Sequence, residues 1–93
     1  MNYTYMLECS DGSFYIGWTN DLQKRVKTHE KGKGGKYTHS HLPVKLVYYE
    51  EYEEKRDAQS REVILKQLSH KEKEKLVKNW KHEDSDGLSE GAV

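Results

Sequence analysis

Between Tyr3 and Cys9 apolar and polar positions alternate, so that Tyr3, Tyr5, Leu7 and Cys9 fall on one face of an extended chain. A period of two predicts a strand, and the aromatic, β-branched run from Phe14 to Thr19 predicts a second. Ser10, Asp11 and Gly12 join them as a hairpin. If these three residues form the loop, with Gly12 left-handed, Cys9 faces Ser13 and Tyr5 faces Gly17, and Tyr5 and Tyr15 share a face as diagonal neighbours. A two-residue Asp-Gly loop would put the two tyrosines on opposite faces, because a one-residue change of register flips a strand.

Thr19 or Asn20 is placed to cap a helix through Leu22, Arg25, Val26 and His29 that stops near Gly32, with Leu22 and Val26 as its buried stripe. Arg25 and His29, four apart, lie one above the other on that helix. The polar stretch from Gly32 to Leu42, which contains Gly32, Gly34 and Gly35, reads as a basic loop. Pro43 opens a third strand, Val44 to Tyr52, in which Val44, Leu46 and Tyr48 alternate with Lys45, Val47 and Tyr49. Acidic residues lead into a helix over Asp57 to Leu68, with Ala58, Val63, Ile64, Leu65 and Leu68 available for burial. Ser69 and Glu72 have capping-box spacing, so a last helix begins there and carries Leu76, Val77 and Trp80 to the core. Trp18, opposite Tyr5 in this register, is also expected in the core. The expected fold is α+β: a three-stranded, mainly antiparallel sheet flanked by three helices, spanning residues 1–81. Residues 82–93, acidic and poor in apolar side chains, are expected to form a disordered tail.

Composition narrows the function. A chain of 93 residues has room for one small core and none for a separate recognition domain. The formal net charge is zero, yet between Asn20 and Lys45 seven basic residues, Lys24, Arg25, Lys27, Lys31, Lys33, Lys36 and Lys45, face only Asp21 and Glu30. The balancing acid sits in Glu50, Glu51, Glu53, Glu54 and the last residues, which predicts a bipolar surface whose basic side is either simply solvated or suited to phosphate. Cys9 is alone, which excludes an internal disulfide and a cysteine-built metal site. No signal peptide or membrane-length apolar run is present, so a cytoplasmic location and no membrane partner are expected.

The order of elements and motifs resembles the GIY-YIG nuclease family: two short strands with two tripeptides, then a helix with an arginine, then a later helix with a glutamate. Here the tripeptides are Tyr3-Thr4-Tyr5 and Tyr15-Ile16-Gly17, followed by Asn20-Asp21-Leu22, Arg25 and His29, and later by Arg61-Glu62 and Lys66. The resemblance runs from Asn2 to about Trp80 and is nearest to small stand-alone bacterial members. Tyr3 stands where the name-giving glycine would be. The motifs are each common, and the joint spacing carries the resemblance.

The resemblance implies hydrolysis of a nucleic-acid phosphodiester by a metal-dependent endonuclease, with DNA the default substrate and RNA open. Its active site would combine Tyr5, Tyr15, Arg25, His29 and Glu62. Glu62 would be the one protein carboxylate on a magnesium or manganese ion; without the resemblance it would read as an ion-paired helix residue beside Lys66. Arg25 would grip phosphate oxygens, and His29 would contact the scissile phosphate or assist proton movement. One tyrosine would act on the attacking water and the other orient it. Tyr5 is the expected base, provided that neighbouring cations favour its phenolate. By residue type alone, each of these side chains reads more readily as ordinary structure. Lys33, Lys36, Tyr37, Thr38 and Lys66 are candidate nucleic-acid contacts, Tyr37 by stacking on an unpaired base. Gly17 either leaves the sheet face open for substrate or marks a bulge. Two other classes compete: a nucleic-acid-binding module without useful turnover, and a protein-interaction domain.

Overall fold

The computed structural model describes residues 1–80; the expected domain end at residue 81 and the acidic tail at 82–93 lie outside the described residues. The elements are β1 (Asn2–Glu8), β2 (Phe14–Thr19), α1 (Leu22–Glu30), α2 (Lys36–Ser40), β3 (Lys45–Tyr52), α3 (Lys55–Gln67) and α4 (70–80). The sheet order is β2-β1-β3, and β1 is antiparallel to both neighbours. The fold class is the expected one, with one helix more: five residues of the predicted loop wind into α2.

The hairpin takes the three-residue turn. Cys9 N–H donates to the Ser13 carbonyl at 2.8 Å, Gly12 N–H donates to the Cys9 carbonyl at 3.0 Å, and Gly12 has φ 84°. Tyr5 therefore pairs with Gly17, and Leu7 with Tyr15. The β1–β2 register runs unbroken, so Gly17 marks no bulge. A bulge occurs in β3 instead, where Met6 pairs with Tyr48 but Leu7 pairs with Leu46, skipping Val47. The expected alternation of β3 therefore breaks. Val47 and Tyr48 both join the core beneath α3 and α4 with Met6, Ile16, Leu65 and Val77, whereas Leu46 and Tyr49 pack on the opposite face with Tyr5, Leu7, Cys9 and Val44.

Asp21, not Thr19 or Asn20, caps α1: its carboxylate accepts from Lys24 N–H at 3.2 Å, while Thr19 Oγ1 accepts from Asp21 N–H at 3.1 Å. The helix ends in a Schellman turn at Gly32 (φ 78°), with Lys33 N–H donating to the Thr28 carbonyl and Gly32 N–H to that of His29. On the other face the Ser69–Glu72 capping box forms reciprocally and starts α4. Thr4 Oγ1 donates to the Ala58 carbonyl at 2.7 Å, and Arg61 binds Glu50 through Nε and a terminal nitrogen, so α3 is fastened to β1 and β3. Ala58 and Leu65 are buried as expected; Val63 and Ile64 are exposed, because they point away from the sheet. Trp18 is only half-buried, with the Lys55 ammonium 5.3 Å from its ring centre, and Trp80 packs edge-on against Tyr48 and Tyr49. No helix among the described residues is long and apolar enough to cross a membrane.

Candidate active site

Three of the five expected site side chains meet on the α1 side of the sheet. The Tyr5 hydroxyl lies 2.9 Å from His29 Nε2, the rings of Tyr15 and His29 are 4.9 Å apart, and those of Tyr5 and Tyr15 are 6.4 Å apart. The hairpin register puts both tyrosines on this face, and α1 brings His29 down onto them. His29 is fully buried, whereas Arg25, one turn earlier on the same helix, is exposed. Tyr15 is half-buried and its hydroxyl has no protein hydrogen-bond partner among the described residues.

Among the described residues Arg25 and Glu62 make no hydrogen bond with this trio, but both act on it through charge. Burial first, then Tyr15, pushes the Tyr5 phenol well above its usual pKa; the Arg25 guanidinium opposes the shift and the Glu62 carboxylate adds to it. Arg25 thus acts on the phenol in the expected direction, but burial outweighs it, and without a bound metal ion the neutral phenol is favoured. Burial, helped by Arg25, lowers the His29 pKa and holds the imidazole neutral. Glu62 comes from α3, on the far layer, and its largely covered side chain pairs with Lys66 Nζ at 3.4 Å.

Two expected contact residues turn out to be internal. Gly17 is buried, and a Cβ there would fall 2.6 Å from the Tyr5 hydroxyl oxygen; it seats the Tyr5 ring and does not hold the face open for substrate. Thr38 is fully buried with Oγ1 2.9 Å from His29 Nδ1, so it cannot reach a nucleic-acid backbone. Gly34 was not anticipated: a Cβ there would come within 2.2 Å of His29 Nδ1, so only glycine lets the loop close over the ring. The glycine-rich loop carried that signal, but a close approach to His29 is not legible without the fold.

Lys33 and Lys36 are exposed, as expected for phosphate contacts, and line an open hollow of about 450 Å³ with Gly32, Gly35, His39 and Ser40. Tyr37 is exposed, stacked on His41 at 4.1 Å and near-parallel to Tyr15 at 6.5 Å, and its hydroxyl donates to Ser13 Oγ. A larger hollow of about 680 Å³ lies between α1 and β3, lined by Tyr3, Leu22, Val26, Leu46 and Tyr49. It contains none of the five expected residues, and a polymer phosphate does not need a deep cavity, so the tyrosine–histidine cluster remains the candidate.

The fold and this cluster define a small α+β domain with polar aromatic side chains gathered on one sheet face beside an exposed arginine. The chain belongs to the GIY-YIG catalytic domain family, whose model matches residues 1–83. It is 54% identical over 77 residues to a UPF0213 protein of Clostridium perfringens, covering 83% of each chain. Against a UPF0213 protein of Bacillus licheniformis it is 48% identical over 85 residues, covering 91% of this chain and 88% of the other. The solution NMR structure of a UPF0213 protein from Bacillus halodurans, 46% identical, superposes with a TM-score of 0.54 over 84% of both chains. A second NMR structure, from E. faecalis, is 37% identical with a TM-score of 0.56, covering 85% of this chain and 84% of that one.

Proposed function

We propose that the protein is an endonuclease that hydrolyses nucleic-acid phosphodiesters, DNA by default, with a magnesium or manganese ion held at Glu62. The observation that carries this reading is the direct contact of Tyr5, Tyr15 and His29, with Arg25 and Glu62 both bearing on the same phenol, in a GIY-YIG catalytic domain.

Among the described residues no group of three or more His, Cys, Asp or Glu side chains could cage a metal. A single carboxylate fits a hard ion that keeps most of its waters, and does not fit a zinc-type site. Glu62 meets that requirement, and Lys66, its exposed partner, is free to swing toward phosphate when the carboxylate is taken up. When bound, the ion would supply charge for the phosphate oxygens. The remaining roles fall to the chain itself. Arg25 grips the phosphate, because an exposed guanidinium one turn from His29 pairs with two oxygens without being desolvated first. Tyr15, with its free hydroxyl, orients the attacking water, and Tyr5 with His29 takes up its proton. Lys33 and Lys36 hold the flanking backbone, and Tyr37 offers its ring to an unpaired base.

The Glu62–Lys66 ion pair also supports a second reading, a nucleic-acid-binding module that takes up no metal. A cleavage assay on single-stranded, duplex and branched DNA and on RNA, with and without magnesium or manganese, separates the two. Metal-supported cleavage that Glu62→Gln abolishes while nucleic-acid affinity is kept is the expected result, since the substitution removes a charge but little volume. Cleavage equal in wild type and Glu62→Gln would end the metal assignment. Binding without cleavage of any substrate would replace the enzyme with the binding module.

A further inference from the structure

Behind the sheet face three buried side chains from three elements make one line of hydrogen bonds: Tyr5 from β1, His29 from α1 and Thr38 from α2. Tyr5 Oη is 2.9 Å from His29 Nε2, His29 Nδ1 is 2.9 Å from Thr38 Oγ1, and Thr38 Oγ1 is 3.3 Å from the Gly35 carbonyl. One end of the line has a fixed polarity, because a carbonyl accepts and never donates. If the Thr38 hydrogen goes to Gly35, Oγ1 turns a lone pair to His29, and Nδ1 must carry the imidazole proton. Nε2 is then bare and accepts from the Tyr5 hydroxyl. The opposite order has Thr38 donating to Nδ1 and Nε2–H donating to Tyr5. That order leaves the Tyr5 hydroxyl hydrogen, on a side chain 1% exposed, with no protein acceptor among the described residues. Until substrate brings a water to the phenol, that buried donor has no acceptor, which is costly, so in the resting protein the first order wins. Gly34 closes over the ring with no side chain of its own, which leaves Thr38 as the partner of Nδ1.

We infer that Thr38 is a positioning residue whose hydroxyl locks His29 in the Nδ1–H tautomer, making Nε2 the acceptor of the Tyr5 proton and turning the phenol oxygen's lone pairs away from His29. The catalytic consequence rests on the nuclease reading. As a water attacks phosphorus, its O–H bond breaks and the proton passes to the Tyr5 oxygen, while the bond from phosphorus to the leaving sugar oxygen breaks and that oxygen departs with the electron pair, to be protonated from solvent. The phenol hydrogen moves to His29 Nε2 in the same step, leaving tyrosine neutral and histidine as imidazolium. No standing phenolate is needed. A neutral His29, as its burial dictates, is the required starting state.

The tautomer can be read without any substrate, from the ring ¹⁵N signals of His29 in two-bond ¹H–¹⁵N NMR spectra of the full chain at neutral pH. Wild type is expected to show a protonated Nδ1 and a bare Nε2. Thr38→Ser should keep that pattern; Thr38→Val should shift it to a mixture or to the Nε2–H form; Tyr5→Phe, which removes only the donor to Nε2, should leave it unchanged. In the cleavage assay Thr38→Val should lower kcat on the order of 100-fold, the size of a lost proton transfer, with KM little changed and Thr38→Ser restoring most of the rate. An Nε2–H wild type overturns the inference, and so does Thr38→Val with the wild-type pattern. Should Thr38→Val fail to fold, the wild-type and Thr38→Ser spectra still decide. An inactive wild type that shows the Nδ1–H form would sink the nuclease reading and leave the Thr38 assignment standing.

Discussion

Tyr5 is held from both sides by residues whose value lies in what they lack or withhold. Gly17 lacks a Cβ, and the ring of Tyr5 occupies the space that one would need; the phenol cannot retreat, since its oxygen is bonded to His29. Gly17→Ala is therefore expected to cost about 1–3 kcal/mol, the usual range for overfilling a packed site. In the double variant with Tyr5→Phe the cost should be less than the sum of the two, because the nearest clashing atom is gone. Chemical denaturation of the four proteins checks this, and strict additivity would deny the contact. His29, for its part, is buried neutral with its pKa below the ordinary 6.5. The unfolded chain therefore binds a proton at higher pH than the folded one. Stability from this group is complete above about 6.5 and falls as pH drops through that value toward the folded pKa. Melting curves between pH 8 and 5 should show wild type losing more stability on acidification than His29→Gln. Parallel losses would mean that another group carries the dependence.

At the scale of elements, how much could be read ahead depended on how local the determinant was. The hairpin register was legible because Ser10-Asp11-Gly12 allows few turns, and the start of α4 because Ser69 and Glu72 cap each other within one turn. The bulge at Val47 was not, since it is set by packing against β1 and α3 rather than by its neighbours in sequence. Nor was α2, whose five residues contain no apolar period and whose purpose is to bring Thr38 to His29. The run Glu50, Glu51, Glu53, Glu54 gave no sign of which carboxylate turns inward. It is Glu50, which accepts from Tyr48, Tyr52 and Arg61 and so fixes the roll of α3, the helix that carries Glu62. Burial alone would raise the Glu50 pKa, but those hydrogen bonds outweigh it and hold the carboxyl low, while Tyr48 and Tyr52 are pushed up to about 12. Glu50→Gln should destabilise the fold by roughly 2 kcal/mol, as expected for losing hydrogen bonds to a charged group, lowering Tm by about 10 °C at this size. It should also reduce cleavage by more than the folded fraction explains, because α3 would no longer hold Glu62 in place. A wild-type Tm for Glu50→Gln would show that the cluster does not hold the helix.

Over the whole molecule a formal charge of zero conceals a separation of basic and acidic residues that the proposed nucleic-acid binding would use. The basic residues of α1 and of the loop before α2 share the layer of Tyr5, Tyr15 and His29, and Lys33 and Lys36 border an open hollow there. Such a surface touches phosphates and few base edges, so nucleic-acid binding should be weak, salt-sensitive and nearly indifferent to sequence. Reversing Lys33 and Lys36 to glutamate should weaken binding to all sequences alike and flatten the salt dependence, its slope falling by about 0.9 for each duplex phosphate that is no longer neutralised. Both side chains are exposed and have no ion-pair partner among the described residues, so the fold should tolerate the change within about 0.5 kcal/mol. Fluorescence anisotropy with labelled oligonucleotides, from low salt to about 0.2 M, measures both quantities. A steep salt slope retained after both reversals would move the binding surface elsewhere. A strong preference for one short duplex sequence, insensitive to salt, would overturn the picture of a domain that reads the backbone.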